Sequence, residues 1–161
     1  MLDNFTGIEE AEKKQLTEAI AQITVLIAGA DGVIDTAETA WASKLTKIRS
    51  YANEDLLHEF YQVVGNTFGE DLNAMIKALP SDVDDRTNVL AEKLGALNDI
   101  LSRLPNQIGA TLYTSYTSFA KHVAESSGGF LRMWSVSGEE KKLMTLPMLD
   151  PIELIIEEDE A

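Results

Sequence analysis

The stretch "VLIAGADGVIDTAETAWASKL", residues 25–45, places an Asp-Gly turn between two apolar patterns of helical spacing. Upstream of the turn, apolar residues recur every three or four positions over residues 8–30, behind a Thr6-x-x-Glu9 sequence typical of a helix N-terminus. Downstream, Asp35 stands where the N-cap of a second helix belongs. The stretch therefore predicts two helices joined by an acidic corner.

Helical spacing dominates the rest of the chain, and no run alternates apolar and polar residues as a half-buried strand would. We therefore expect an all-α fold, a single compact domain of about seven helices. Five further helices are predicted. The first is capped by Asn53 and broken at "VGNTFGE" (residues 64–70), and a short one follows over residues 72–79. A long one covers residues 83–104 until Pro105 stops it, the next covers residues 108–123, and the last starts after Ser137 and ends around Leu149.

The 161 residues, of which 45% are hydrophobic, are enough for one continuous core and too few for two large ones. We expect residues 1–150 to form this domain. The last twelve residues hold six acidic side chains and no basic one, so residues 151–161 are predicted to be an acidic C-terminal tail. The chain shows a weak internal sequence similarity, between "VLIAGADGVIDTAETAWASKL" and "KHVAESSGGFLRMWSVSGEEKKL". This similarity predicts two related helical halves.

The net charge is −14, from 27 acidic and 13 basic residues, and this charge repels nucleic acid and anionic membrane surfaces. A cation or a protein with a basic face is the better partner. The chain has no cysteine, which excludes disulfides, zinc-thiolate sites and thiol redox chemistry. Without a signal-peptide pattern or an apolar run of about 18 residues, we expect a cytoplasmic, bacterial-type protein without membrane insertion.

The acidic corner resembles the second half of a calcium-binding EF-hand loop. Asp31, Asp35 and Glu38 fall at positions 5, 9 and 12 of that loop, but the residues at positions 1 and 3 are Ile27 and Gly29, which have no side-chain oxygen. Three carboxylates leave room for water or for a ligand from elsewhere. The pattern thus indicates a divalent cation site, with Ca²⁺ favoured and Zn²⁺ or Mg²⁺ as alternatives.

A second interpretation needs no ion. Asp35 can cap the second helix, and Glu38 can reach back to close a capping box. Gly32 supplies a permissive backbone for the turn. Capping explains Asp31 least, so Asp31 is the residue that separates the two interpretations.

The motif "IAGADGVIDTAE", the following helix with Trp41 and Leu45, and the late "HVAESSGGFLRMWSVSGEE" together resemble the TerB-like family, named for the tellurite-resistance protein TerB. The resemblance spans most of residues 8–149. It implies an all-helical fold of two related halves and a stress-associated, tellurite-resistance type of role. It also implies a metal site at Asp31, Asp35 and Glu38.

The second half departs from the family pattern, because Ser127 and Gly128 stand where an Asp-Gly pair is expected. A second equivalent metal site is therefore not predicted. The glycine pair at residues 128–129 is interpreted as a loop rather than a phosphate-binding turn, since no phosphate-loop lysine follows it. Phe130, Met133 and Trp134 are either a flap on the core or an exposed contact patch.

His58 and His122 are the only histidines, and each has a carboxylate three or four residues away along its helix. A zinc site becomes plausible only if the two helices are neighbours; otherwise both are ordinary helix histidines. Tyr113 and Tyr116 are predicted at the edge of the core. Nothing resembles a nucleophile elbow, and no redox cofactor motif is present, so we predict no enzyme.

The sequence thus favours a non-enzymatic protein that binds a divalent cation at residues 31–38 and a protein partner. The alternative is an acidic adaptor or scaffold for a basic protein, with no metal site. A third possibility, a hydrolytic metal site that uses the histidines, has little support.

Overall fold

The computed structural model describes residues 2–30, 36–50, 56–126 and 143–155, and the regular secondary structure in these ranges is α-helix with no β-strand. The predicted all-α fold class is confirmed. None of the helices in these ranges combines the length and hydropathy needed to cross a membrane. Six helices are described: α1 (Glu10–Ala28), α2 (Thr36–Ser50), α3 (His58–Ala78), α4 (Val83–Gly95), α5 (Leu97–Arg103) and α6 (Asn106–Ser126).

The central element is α1, which contacts each of the five other helices. Its second half is apolar on nearly every side, as expected for a helix that is surrounded by protein. Each buried aliphatic side chain there contributes about 1.5–3 kcal/mol of transfer free energy. The buried side chains of α1 are Leu16, Ala19, Ile20, Ala21, Ile23, Thr24, Val25, Leu26, Ile27 and Ala28.

The start of α1 differs from the prediction. The helix begins at Glu10, so Thr6 is not its N-cap; instead the Glu12 carboxylate accepts a hydrogen bond from the backbone N–H of Glu9 at 2.9 Å. Gly7 has a φ of +88°, and a Cβ atom there would lie 2.5 Å from a backbone oxygen of α5. The chain must turn at Gly7 before the helix can begin, and few other residues could replace it.

The residues before this turn close one side of the core. Leu2 and Phe5 are buried, and the ring of Phe5 stacks on that of Phe60 in α3 with centroids 5.8 Å apart. The Phe60 ring in turn meets Tyr116 of α6 edge-on at 6.4 Å. The N-terminal segment therefore belongs to the folded core.

The predicted break within residues 64–70 is wrong, because α3 is one continuous helix that includes the predicted short helix up to Ala78. Gly65 and Gly69 lie four residues apart, and an added Cβ at either would meet nothing within 4 Å. The glycines therefore lie on the outer side of the helix, where the core does not depend on them. The predicted cap, Asn53, lies outside the described residues. The buried face of α3 is formed by Phe60, Tyr61, Val64, Phe68 and Leu72.

The predicted long helix over residues 83–104 is two helices, α4 and α5, separated at Ala96. The break coincides with a contact from the C-terminal part of the chain. Asn98, next to the break, donates to the backbone carbonyl of Met148 at 2.9 Å and accepts from the N–H of Asp150 at 2.8 Å. A tertiary contact therefore accompanies this discontinuity.

The last predicted helix is wrong at its end, because residues 144–149 form successive turns. Its predicted start, Ser137, lies outside the described residues. Leu146 and Leu149 are buried, and they anchor a segment that we call the C-terminal strap, residues 146–155. The strap ends on α6, where Asn106 donates to the carbonyl of Glu153 at 3.0 Å and accepts from the N–H of Ile155 at 2.7 Å.

The strap overlaps the predicted acidic tail over residues 151–155. Ile152 packs against the core, whereas Leu154 and Ile155 are 52% and 70% exposed. Residues 156–161, which carry most of the acidic side chains of the predicted tail, lie outside the described part of the chain.

Candidate functional site

The predicted metal site lies at the corner between α1 and α2. The two helices flank it as predicted, since α1 ends at Ala28 and α2 begins at Thr36. Asp31 and Asp35 lie outside the described residues, and of Glu38 only the backbone, in the first turn of α2, is described. The positions of the three carboxylates stay a prediction.

The entry to this corner is held by a buried arginine. The guanidinium of Arg86, in the first turn of α4, donates to the carbonyl of Gly29 at 2.7 Å, and only 5% of the residue is exposed. The carbonyls at a helix C-terminus carry partial negative charge, so a cation is favourable there. Arg86 thereby stabilises the end of α1 and holds the first turn of α4 beside it.

That first turn of α4 shows how this chain caps a helix with an aspartate alone. Asp82 is the N-cap, and its carboxylate accepts from the N–H of Asp85 at 3.0 Å. Asp84 is also exposed, so the turn presents three acidic side chains. The Asp82–Asp85 pair has the same spacing as Asp35 and Glu38, and it serves as a reference for the interpretation without an ion.

The two histidines do not form a metal site in the described residues. His58 is the first residue of α3, and its sequence neighbours Glu54 and Asp55 lie outside those residues. His122, on α6, is exposed, and its Nδ1 lies 3.4 Å from Nη2 of Arg49. Within the described ranges, no three acidic, histidine or cysteine residues come together as a potential metal cluster.

Arg49, near the end of α2, is the centre of a polar cluster between three helices. Its Nη1 donates to the hydroxyl of Tyr61 on α3 at 3.0 Å and to the hydroxyl of Ser115 on α6 at 2.8 Å. Its Nη2 donates to the hydroxyl of Ser118 at 3.1 Å. The guanidinium also lies 5.4 Å from the ring centroids of Tyr61 and Phe119, a distance suited to cation–π attraction.

The two predicted core-edge tyrosines differ in burial. Tyr116 is fully buried rather than at the edge, and its hydroxyl donates to the carbonyl of Leu16 at 2.7 Å. Burial disfavours the phenolate and raises the pKa of Tyr116 well above its usual value. Tyr113 is half-buried, as predicted. The loop with Ser127, Phe130 and Trp134 lies outside the described residues.

Sequence reasoning missed both arginines, although their spacing carried a signal. Arg86 is four and eight residues before the buried Leu90 and Leu94, which puts it on the apolar face of α4. Arg49 likewise follows the buried Leu45 by four residues on α2. A charged residue in register with core positions is rarely buried unless it has partners, so each arginine could have been marked as a candidate.

We compared the chain with known families and proteins. No family model, no characterised protein and no solved structure matches it significantly.

Proposed function

We propose that this chain is a non-enzymatic, TerB-like binding module of the tellurite-resistance type, which acts in the stress response of a bacterial cytoplasm. A divalent cation binds at Asp31, Asp35 and Glu38, and a protein partner recognises the ion-loaded corner. Ca²⁺ is the favoured ion, because all three ligands are carboxylates and the spacing is that of half an EF-hand loop.

One observation carries this proposal. The seven residues between Ala28 and Thr36 connect two helices, and the α1 end of the connection is fixed by the bond from Arg86 to Gly29. A short acidic connection with an anchored end loses less conformational entropy when it closes on an ion than a long loop would. The buried positive charge of Arg86 near the corner opposes the ion, so we expect modest affinity.

In this proposal the bound ion changes the surface of the corner and takes part in no chemical reaction. When the three carboxylates share a cation, their mutual repulsion falls. The ion-loaded corner carries less negative charge than the ion-free corner and therefore presents a different surface. A partner with higher affinity for the ion-loaded corner couples its own binding to the ion.

The test is a titration of chelator-treated protein with Ca²⁺, Mg²⁺ and Zn²⁺. Calorimetry measures the binding, and the melting temperature measures the resulting change in stability. Asp31→Asn is the decisive variant, because helix capping does not require Asp31. Asp84→Asn is the matched control, since it removes one exposed carboxylate from the first turn of α4 without removing the Asp82 cap. We expect saturable binding that Asp31→Asn abolishes and Asp84→Asn retains.

No saturable binding of any of the three ions would contradict the metal site. Equal affinity of Asp31→Asn and the unmodified protein would contradict it as well. In either case Asp35 would be a helix N-cap, as Asp82 is in α4, and Glu38 would close its capping box.

The second candidate function is an acidic adaptor for a basic protein, without a metal site. The contact of Arg86 with Gly29 favours it, because this contact holds the exposed Asp84 and Asp85 of α4 near the end of α1, from which the acidic connection starts. A basic partner would then meet carboxylates from two helices. This candidate predicts that Asp84→Asn weakens partner binding and that a chelator does not.

A further inference from the structure

We propose that a groove beside Arg49 binds a small monocarboxylate with an apolar body. We call it the Arg49 groove. It has a volume of about 440 Å³, within the range of small-molecule sites. Arg49 lies near the opposite end of α2 from Thr36, and the proposal does not depend on a metal ion. Its described lining is Arg49, Leu57, Tyr61, Ala110, Thr111, Thr114, Ser115, Ser118, Ile152 and Leu154.

The charge of the described lining of this groove is opposite in sign to that of the whole protein. The net charge of the chain is −14, yet the described lining contains one arginine and no carboxylate. Arg103 shows the usual arrangement, since it is paired with Glu12 and Asp99. Arg49 makes no ion pair with any carboxylate of the described residues, and its hydrogen-bond acceptors are neutral. A positive charge with no counter-charge among the described residues, at the wall of a groove, favours an anionic ligand.

The hydroxyl groups around Arg49 complete the site. A hydroxyl that accepts a hydrogen bond from a guanidinium still has a proton to donate. The Ser118 hydroxyl accepts from Arg49 Nη2 at 3.1 Å, and its proton has no acceptor among the described residues. The hydroxyls of Thr111 and Thr114, on the same face of α6, have no hydrogen-bond partner there either. The hydroxyls of Thr114 and Ser118, about one helical turn apart, can therefore donate to the two oxygens of one carboxylate, and Thr111 offers a further donor one turn along the helix.

The other walls of the groove determine the chemistry of the part of the ligand that lies away from its carboxylate. Leu57, Ala110 and Ile152 supply apolar surface, and Leu154 of the strap stands at the rim, 52% exposed. An ion such as inorganic phosphate would leave this surface in contact with water. One guanidinium balances one negative charge, so a monoanion fits better than a dianion. An aliphatic or aromatic carboxylic acid meets both conditions.

A purely structural role for Arg49 is the competing explanation. Arg49 lies in the last turn of α2, where a cation stabilises the helix, and it links α2 to α3 and α6. That role predicts lower stability when Arg49 is replaced, but no affinity for a carboxylate. Ligand affinity, measured on folded protein, is therefore the readout that separates the two.

The test is a titration of ¹⁵N-labelled protein with octanoate, in the presence of a metal chelator. Octanamide is the matched neutral ligand. We expect saturable octanoate binding, with amide shifts centred on residues 111–118, and at least about tenfold weaker binding of octanamide, as for the loss of a charge-assisted hydrogen bond. Inorganic phosphate is expected to bind more weakly than octanoate.

Arg49→Gln is expected to weaken octanoate binding by at least about tenfold, and Ser118→Ala by about threefold to tenfold. Ser118→Ala is a small change on a half-exposed position, so it tests the site even if Arg49→Gln does not fold. Lys77→Gln and Ser102→Ala are the controls for charge and for a helical hydroxyl elsewhere, and both should bind octanoate like the unmodified protein.

Three results would overturn the proposal. The first is the absence of saturable octanoate binding. The second is binding of octanamide or phosphate that equals or exceeds that of octanoate. The third is undiminished octanoate affinity in Ser118→Ala together with shifts outside residues 111–118. Because a chelator is present throughout, failure here leaves the cation site untouched, and loss of the cation site leaves this result untouched.

Discussion

The guanidinium of Arg86 on α4 donates a 2.7 Å hydrogen bond to the backbone carbonyl of Gly29 at the end of α1. The contact depends on the missing side chain of Gly29. A Cβ atom there would lie 2.8 Å from Arg86 Nη2 and 3.0 Å from the carbonyl oxygen of Val25. The glycine thus lets a side chain from another helix reach the backbone of α1.

Gly29→Ala is therefore expected to lower the free energy of unfolding by about 1–3 kcal/mol, because Arg86 must move away from the carbonyl. Urea denaturation measures the change. Gly65→Ala is the matched control: its Cβ would meet nothing within 4 Å, so it should raise stability by about 0.5–1 kcal/mol through helix propensity. A Gly29→Ala variant as stable as Gly65→Ala would contradict the proposed role of this contact.

The pair of Glu12 and Arg103 makes stability depend on pH in the acidic range. The Glu12 carboxylate forms hydrogen bonds with the Arg103 side chain, which has the larger effect, and with the backbone of Glu9. These bonds hold the pKa of Glu12 at about 2, below its usual 4.5. A lowered folded-state pKa means that the pair stabilises the protein above about pH 4.5, and that this contribution is lost as the pH falls toward 2.

Glu12→Gln is expected to flatten the loss of stability between pH 4.5 and pH 2, because glutamine keeps a hydrogen bond to Glu9 without a titrating charge. Thermal melts of both proteins across this range provide the measurement. Added salt should weaken the unmodified protein more than the variant, since the pair lies at the surface. Parallel pH profiles for the two proteins would be inconsistent with this assignment.

The buried hydroxyl of Tyr116 ties α6 to α1 through its 2.7 Å bond to the carbonyl of Leu16. Tyr116→Phe keeps the ring and removes this bond, and it should lower stability by about 0.5–1.5 kcal/mol. Tyr113→Phe is the control on the same helix, because the hydroxyl of Tyr113 has no partner in the described residues. Equal stability of the two variants in urea would show that the bond contributes little.

The sequence predicted the elements whose apolar spacing is regular. α2 begins at the predicted Thr36, and α6 covers the predicted residues 108–123, because in both cases the core face repeats every three or four positions. The same rule failed in α3, where Gly65 and Gly69 were interpreted as a break. Glycine lowers helix propensity by about 1 kcal/mol, but the continuous buried face of α3 outweighs this cost.

Features that depend on distant partners could not be predicted from local patterns. The break at Ala96 accompanies the contact of Asn98 with the strap, which lies about fifty positions further along the chain. Arg49 and Arg86 were missed because an arginine in a helical pattern is usually exposed. The acidic corner was marked by its own motif, but no motif marks the Arg49 groove, since its described residues come from α2, from α3 and the residue before it, from α6 and from the strap.

Phe5 is the clearest case of a core residue that periodicity could not assign, because it precedes the first helix. It is 1% exposed and stacks on Phe60. Phe5→Ala should lower the free energy of unfolding by about 3–5 kcal/mol, as for a large aromatic removed from a core. Thr6→Ala should leave stability within about 0.5 kcal/mol, since Thr6 is exposed and is not the N-cap. A larger effect for Thr6→Ala than for Phe5→Ala would reverse this assignment.

The strap is held at two points by two asparagines, and each side chain both donates to and accepts from the strap backbone. Asn98 engages Met148 and Asp150, and Asn106 engages Glu153 and Ile155. An asparagine amide can pair with a backbone in this way because it carries a donor and an acceptor side by side. The two attachments bracket Ile152, which lines the Arg49 groove.

Hydrogen exchange of two strap amides tests whether the attachments are independent. Asn106→Ala should accelerate exchange at the Ile155 N–H by at least about tenfold and leave the Asp150 N–H unchanged, and Asn98→Ala should do the reverse. Each variant is the control for the other. If either substitution accelerates both amides equally, the strap leaves the surface as one unit. In that case Asn106→Ala would also remove the wall that Ile152 and Leu154 provide, and octanoate binding would weaken with it.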